Sequence, residues 1–342
     1  LGAEEDAMNY LVTGGGGFLG SAVVRQLLER GHHVRTFQRG EYPELAAMGV
    51  EAIRGDLADA EKLHSAAAGM EAVFHVAAKP GVWGTYKDFH VPNVVGTQNV
   101  IAACKAANVG RLIFTSSPSV VFDGSDESNI TESAPYPKRY LAHYPKTKAM
   151  AEKLVLAANC ETLATVSLRP HLIWGPGDPH LVPRILARAR SGRLSMIGKK
   201  KNLVDSTYID NAALAHVLAG ERLAPNAPCA GKAYFISNGE PIAMADLIRR
   251  ILAAAGLDPV IPYIPSSIAY AAGGAMEFSH KLLRLKSEPF LTRFVARQLS
   301  TAHWFDLTAA RRDLGYQPMV SMDEGMRRLS HALRNGPVEV RG

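Results

Sequence analysis

The feature that most constrains this chain is an apolar run opening directly onto evenly spaced glycines. "LVTGGGGFLGSAVV" sets Gly14, Gly17 and Gly20 three residues apart, after a strand pattern and before a helical one. Bare backbone there lets a pyrophosphate approach, and the helix amino end near Phe18 and Leu19 favours its negative charge. A plain tight turn is the competing reading of the glycines taken alone. The rest of the first half favours the pyrophosphate, because the short apolar runs "HVRTFQRG", "VEAIRGDL", "AVFHVAA" and "RLIFTSS" alternate with helical stretches such as "VPNVVGTQNVIAACKAANV". That alternation implies a parallel sheet covered on both faces.

The expected fold class is therefore α/β, a Rossmann-type doubly wound parallel sheet, to which "LATVSLRPHLIWG" adds a further strand. Beyond residue 172 the alternation breaks, with Pro176, Pro179 and Pro183 ahead of "RILARARSGRL". "KAYFISN", the amphipathic "AMADLIRRILAAAG" and "SMDEGMRRLSHAL", with Ser321 and Glu324 in capping-box register, read as pieces of a smaller mixed α/β substrate lobe. The expected layout has 1–7 as a cloning remnant or unstructured extension and 8–171 as a dinucleotide-binding domain. The region 172–342 is expected to be mainly substrate lobe, with 203–220 returning to the first domain. In such folds the ligand lies beyond the carboxyl ends of the strands, so a cleft between the lobes should hold the chemistry.

A net charge of +6 admits nucleic acid, an anionic membrane surface, or a phosphate-bearing cofactor with an acidic substrate. The basic residues do not cluster as in a nucleic-acid reader, and the densest run, "GKKKN" at 198–202, reads as a solvated turn. Cys104, Cys160 and Cys229 are scattered without metal or redox spacing, which fits a reduced, cytoplasmic compartment. The apolar stretch at 261–278 is too broken by proline, serine and glutamate to span a bilayer. Continuing into "SHKLLRLK", it can form an interfacial or substrate-capping helix in peripheral membrane contact, or simply a buried one.

Eighteen residues past Gly20 an NAD-selective site would present a carboxylate to the adenosine ribose. Gln38 and Arg39 stand there instead. A charge-assisted hydrogen bond from Arg39 to a 2′-phosphate contributes about 1.5 to 3 kcal/mol, so NADPH/NADP+ is the expected cofactor. Further along, "AHYPKTKAMAEKL" puts Tyr144 four residues before Lys148, on one face of a helix. Chance alone supplies such a pair roughly half of the time, and Pro145 pushes Tyr144 towards the helix start.

Taken in order, "TGGGGFLG", "GDL" at 55–57, "VFHVAA", "NVVGTQNV", "FTSSPSVVF" and the Tyr144/Lys148 pair resemble the extended short-chain dehydrogenase/reductases. "SSPSVVFDG", "YPKTKAMAEKLVLAAN", "LRPHLIWGPGDPHLVPRI" and "NLVDSTYIDNAALAH" are similar to the 3β-hydroxysteroid and sterol-4-carboxylate dehydrogenase branch. Within it, "AAKPGVWGTY", "GKAYFISNGEP" and "AARRDLGYQPMVSMDEG" resemble the bacterial 2-alkyl-3-oxoalkanoate reductases of long-chain olefin biosynthesis. The resemblance implies Tyr144 as proton donor, Lys148 as its electrostatic partner and ribose ligand, and Ser117 as the hydroxyl that binds the carbonyl oxygen. It also implies cofactor contacts from Asp56, Leu57, Ala77, Ala78, Lys79, Asn93 and Pro170, besides Gly14, Gly17, Phe18, Leu19, Gly20, Gln38 and Arg39. The partners it implies are a long-chain 2-alkyl-3-oxo acid, a thiolase, a β-lactone synthetase and a β-lactone decarboxylase, with the protein itself a homodimer. Val204, ahead of Asp205, replaces the arginine with which nucleotide-sugar enzymes commonly grip a diphosphate, so a sugar epimerase or dehydratase is not expected.

Reduction of a ketone needs a hydride from the nicotinamide and a proton for the forming alkoxide. A phenol titrating near pKa 10 cycles more easily beside an ammonium, which is the chemistry a Tyr144/Lys148 pair supplies. Ser116 and Ser119 are weaker candidates than Ser117. His75, His171 and His180 form no pair with metal spacing, so structural roles and no metal are expected. Trp83, Trp174 and the 264–276 segment line a hydrophobic substrate channel or belong to ordinary core. Two other activities stay open: a 3β-hydroxysteroid or sterol-4-carboxylate 3-dehydrogenase, and a dinucleotide-sensing regulator without turnover.

Overall fold

The computed structural model describes residues 7–198 and 201–335. Residues 1–6 of the expected extension at 1–7, and Lys199 and Lys200 of the basic turn, fall outside the described residues.

Seven strands build the main sheet: β1 (Asn9–Thr13), β2 (His33–Gln38), β3 (Glu51–Arg54), β4 (Ala72–His75), β5 (Arg111–Thr115), β6 (Ala164–Pro170) and β7 (Lys232–Ile236). They run in the order β7-β6-β5-β4-β1-β2-β3, and every neighbouring pair is parallel. β4 and β6 are buried along their whole length, as expected of strands covered on both faces. The winding reverses between β1 and β4, and a crevice opens at the carboxyl ends of those two strands.

Among the helices, α1 (Phe18–Glu29), α2 (His143–Ala157), α3 (Leu181–Arg190), α4 (Ile209–Arg222) and α5 (Ser266–Leu282) position the cleft. α4 comes from the second half of the chain yet packs along α1. Gln26 Nε2 donates to the Asp210 carbonyl at 2.9 Å, and Arg30 pairs with Glu221 at 3.0 Å. Pro145 occupies the third position of α2, where its missing N–H has no intrahelical partner to lose, so Tyr144 stays helical in the first turn.

The run "KAYFISN", expected in the smaller lobe, forms β7 instead and extends the main sheet, with Lys232 opposite Val166 and Ile236 opposite Pro170. Tyr234, Phe235 and Ile236 are all buried, and α4 supplies the crossover that a parallel strand requires. A second, four-stranded sheet joins Ile242–Ala243, Leu203–Val204, His303–Phe305 and Glu127–Ile130 in that order. Its last strand comes from the first half of the chain.

The apolar segment at 261–278 becomes a short strand, Tyr263–Ile264, and then α5. Ala269, Gly273 and Glu277 form a buried stripe four residues apart. A Cβ on Gly273 would lie 2.8 Å from the Thr292 backbone carbon, so the two backbones touch. Buried Glu277 pairs with Arg293 at 2.7 Å. The other face is open, with Phe278, Leu282 and Leu283 each about two-thirds exposed at 68%, 69% and 65%. No described helix is long and apolar enough to cross a membrane.

Candidate active site

A cleft of about 870 Å³ runs across the carboxyl ends of the main sheet, from the glycine loop to the start of α3. At its dinucleotide end the chain turns back at Gly14, whose φ of +72° suits glycine. The Gly14 N–H reaches the Phe37 carbonyl at 2.8 Å, and the Gly17 N–H the Gly14 carbonyl at 2.9 Å. A Cβ on Gly20 would sit 2.0 Å from the Gly14 carbonyl oxygen, so α1 can begin this close to the loop only without a side chain there. No side chain caps α1 and no acidic residue stands in its first turn, which leaves its amino end suited to an anion. Gly14, Gly17, Phe18, Leu19 and Gly20 all border the cleft.

Gln38, Arg39, Asp56, Leu57, Ala77, Ala78, Lys79 and Pro170 border it as well. Arg39 is exposed at the end of β2, and Asp56 Oδ1 accepts the Ala58 N–H at 2.9 Å. Tyr42, absent from the sequence expectations, also lines this end. Gly16 and Gly40 make room for its ring, since a Cβ on either would meet it at 2.1 Å or 2.9 Å, a proximity that only the fold reveals.

Asn93, expected as a cofactor contact, is not among the residues that border the cleft. It is buried in a π-helical turn, Val91–Val95. Its Oδ1 accepts the Lys79 N–H at 2.7 Å, while Nδ2 donates to the Lys79 carbonyl at 3.2 Å and to Thr147 Oγ1 at 3.1 Å. Asn93 thus ties the loop after β4 to α2 and acts on the cleft through both. His75 is a second buried strut, with Thr13 Oγ1 at 2.8 Å from Nδ1 and Thr97 Oγ1 at 3.0 Å from Nε2. Burial, aided by the Lys148 charge, drops its pKa to about 3, so it is neutral.

At the centre of the cleft Ser117, Tyr144 and Lys148 converge. α2 presents Tyr144 and Lys148 one turn apart, and the loop after β5 presents Ser117. Burial shifts the Tyr144 phenol upward in pKa, and the neighbouring Ser117 hydroxyl opposes that shift. Ser117 Oγ also lies 2.9 Å from Ser119 Oγ. Lys148 Nζ donates to the Thr115 carbonyl at 2.5 Å and sits 4.1 Å from the centre of the Phe114 ring. Burial lowers its pKa to about 7, and the charge of Glu152, one further turn along α2, counters that fall.

Glu152 is fully buried and fully engaged. It receives Arg169 Nη2 at 2.7 Å and Nε at 3.0 Å, Tyr136 Oη at 2.7 Å and Ser167 Oγ at 2.8 Å. With so many donors it stays ionised despite its burial, its pKa held below the ordinary carboxylate value.

Trp174 does not reach the cleft. It is wholly buried, its indole N–H donating to Ser206 Oγ at 3.0 Å and its ring meeting Tyr208 edge to face, so the substrate-channel expectation gives way to core. Trp83 is half-buried beside the cleft residue Val82 and meets His280 of α5 edge to face at 5.8 Å. His171 is buried within 5.7 Å of the His303 ring, while His180 borders the cleft. No described group of three His, Cys, Asp or Glu residues is arranged to hold a metal.

The profile of the 3-beta hydroxysteroid dehydrogenase/isomerase family matches residues 11–263. The chain belongs to that family. It is an oxidoreductase of the extended short-chain type. The 2-alkyl-3-oxoalkanoate reductase of Stenotrophomonas maltophilia is 56% identical over 94% of this chain and 98% of its own length. Its counterpart in Shewanella oneidensis is 52% identical, over 94% and 85%. The human sterol-4-alpha-carboxylate 3-dehydrogenase, decarboxylating, is 36% identical over 97% and 90%. Among solved structures, gox2253 superposes with a TM-score of 0.78 at 28% identity, covering 95% of this chain and 98% of that one. MoeE5, solved in complex with UDP-glucose and NAD, gives 0.74 at 26% identity, covering 96% and 99%. In this member of the family Val204 is fully buried and the neighbouring Asp205 accepts the Phe305 N–H at 2.9 Å, so that strand offers no cation to a nucleotide-sugar diphosphate.

Proposed function

We propose that the protein is an NADPH-dependent 2-alkyl-3-oxoalkanoate reductase, converting the 3-keto group of a long-chain 2-alkyl-3-oxo acid to the 3-hydroxy acid. The observation that carries the reading is the convergence of Ser117, Tyr144 and Lys148 midway along a cleft whose far end is a glycine cradle. Identity of 56% to a reductase of that name supports the substrate class. The cradle fits a dinucleotide, since the absence of a side chain at Gly20 lets the glycine loop pack directly against the start of α1, whose amino end is uncapped. Arg39, exposed on the cleft with no carboxylate beside it on β2, supports preference for a 2′-phosphate.

When bound, the dinucleotide supplies the hydride. Ser117 Oγ holds the 3-keto oxygen, and Tyr144 Oη delivers the proton as negative charge develops there. Lys148, positioned by the Thr115 carbonyl, stabilises the phenolate left behind. The reading extends to pathway partners that form the oxo acid and activate its 3-hydroxy product, and to a homodimer. It also includes peripheral contact with an anionic lipid surface, for which the open apolar face of α5 and the flanking Lys281, Arg284 and Lys286 supply complementary chemistry.

The test is NADPH and NADH consumption with a panel of 2-alkyl-3-oxo acids, 3-ketosteroids and sterol-4-carboxylates. Oxo-acid reduction with an NADPH preference is expected. A preference for sterols with NAD would favour the sterol dehydrogenase reading, supported by the 36% identical human enzyme. Binding without turnover of any compound would favour a sensor. Flotation with phosphatidylglycerol vesicles should carry the protein, and Phe278→Ser with Leu282→Ser should abolish it; equal flotation of the variant would overturn the lipid contact.

A further inference from the structure

The cleft is also walled by Leu172, Ile173, His180, Leu181 and the paired Arg184 and Glu288. Arg184 stands in the first turn of α3, and Glu288 comes from the segment after α5, more than a hundred residues along the chain. They meet at 3.2 Å with 47% and 35% of their side chains exposed. An ion pair this open to solvent holds weakly and can exchange one partner for another. Exchange need not loosen the segment, because Arg188, one turn on, separately donates to the Phe290 carbonyl at 2.7 Å and lies 4.5 Å from its ring centre.

The other charges along the cleft are committed or distant. Asp178 accepts the N–H groups of His180, Leu181 and Val182 at 2.7, 3.2 and 2.8 Å, capping α3. Lys148 faces the Thr115 carbonyl, Lys79 lies 5.4 Å from the Phe89 ring centre, and Arg39 stands just past β2 beside Gln38.

We infer that Arg184 binds the carboxylate of the substrate and that Glu288 holds this guanidinium until the substrate displaces it. The inference rests on the oxo-acid reading of the protein and identifies the group that recognises the acid. It also gives the carboxylate a chemical reason to be held. A neutral 3-oxo acid breaks its C1–C2 bond by passing the carboxyl proton to the 3-keto oxygen, releasing carbon dioxide and an enol. A carboxylate paired with a guanidinium carries no proton to pass, so the substrate survives to be reduced. The planar fork of arginine suits a carboxylate through two parallel hydrogen bonds.

The experiment compares a 2-alkyl-3-oxo acid with the ketone left when that acid loses carbon dioxide. Wild-type protein should prefer the acid in kcat/KM. Arg184→Met should raise KM for the acid about tenfold to a hundredfold, the value of a charge-assisted contact, and bring the acid-to-ketone ratio close to one. Arg184→Lys should recover part of the preference, and Glu288→Gln should lower KM for the acid by freeing the guanidinium. Dinucleotide binding, monitored by fluorescence, reports that each variant is folded. If Arg184→Met keeps the wild-type ratio, the carboxylate site is elsewhere and the reductase reading stands. If wild-type protein reduces neither compound, the reductase reading fails and Arg184 loses its assigned ligand with it.

Discussion

Tyr144 reaches the cleft from the first turn of α2, half-buried, with the Ser117 hydroxyl against its phenol. Removing that one oxygen tests the proton-delivery role with little disturbance of packing. Tyr144→Phe should lower kcat about 10²- to 10⁴-fold, the usual contribution of a positioned general acid, and leave the dinucleotide Kd within about twofold. Single-turnover kinetics beside a fluorescence titration measure both, and a variant that keeps most of its kcat would remove Tyr144 from the mechanism. At this scale the sequence was most informative where chemistry demands a particular residue type: Ser117, Tyr144, Lys148 and the loop glycines all border one cleft. It was silent where burial decides. Nothing in "NVVGTQNV" tells an asparagine that touches a ligand from one whose amide is consumed by Lys79 and Thr147, and nothing in "LIWG" tells a channel tryptophan from a core one.

The contact between the glycine loop and α1, and the seating of α2 on β6, carry the site at the level of elements. At the first, Gly20→Ala puts a methyl against the Gly14 carbonyl at 2.0 Å, a backbone clash that only separation of loop and helix can relieve. Loss of dinucleotide binding by at least about tenfold and a stability loss of about 1 to 3 kcal/mol are expected, checked by titration and urea unfolding. Unchanged binding would mean that the cradle is not where the pyrophosphate lies. At the second, Glu152 on α2 and Arg169 on β6 form a buried pair 2.7 Å apart. Glu152→Met leaves a guanidinium without its counter-charge and should cost about 3 to 5 kcal/mol, whereas Glu152→Met with Arg169→Met should recover much of it. Recovery in the double variant, read from denaturation midpoints, separates loss of the partner from loss of packing. Strand β7 shows why element type was more legible than element position. The apolar run announces a strand, but its place beside β6 depends on a crossover through α4 that periodicity does not reveal.

Across the whole molecule the two halves of the chain are interleaved. Glu127–Ile130 leaves the first half to edge the second sheet, and α4 and β7 leave the second half to complete the first. Such exchanges are pairings between distant segments, which local patterns cannot announce. One of them reaches the catalytic lysine. His216 of α4 lies with Nδ1 2.7 Å from the Ala212 carbonyl, so Nδ1 carries the proton and Nε2 accepts from Thr115 Oγ1 at 2.8 Å, on the residue whose carbonyl receives Lys148. That arrangement requires a neutral ring, and burial lowers the pKa of His216 to about 4, as it lowers His75 to about 3 and His171 below its ordinary value. In the unfolded chain all three titrate near 6.5, so below that pH the unfolded state binds more protons and stability falls with acidification. Asp205 acts in the opposite sense, because burial raises it to about 6 and its folded form gains protons first. Between pH 7 and pH 5 His75 and His216 each remove about 2 kcal/mol and Asp205 returns about 1, a net loss of about 3 kcal/mol against the roughly 5 to 15 that a domain possesses, and His171 acts in the same direction as the other two histidines. Urea midpoints should therefore drop from pH 7 to pH 5, and from pH 7 to pH 8 stability should rise by about 1 kcal/mol as buried Lys148, its pKa lowered to about 7, loses in the folded state a proton that the unfolded chain keeps. Replacing His216 by Gln, whose amide can keep a partner on Thr115 without titrating, should reduce the drop by about 2 kcal/mol. If the midpoint is the same at pH 5 and pH 7, these histidines are not held neutral, and the strut behind Lys148 does not depend on an uncharged ring.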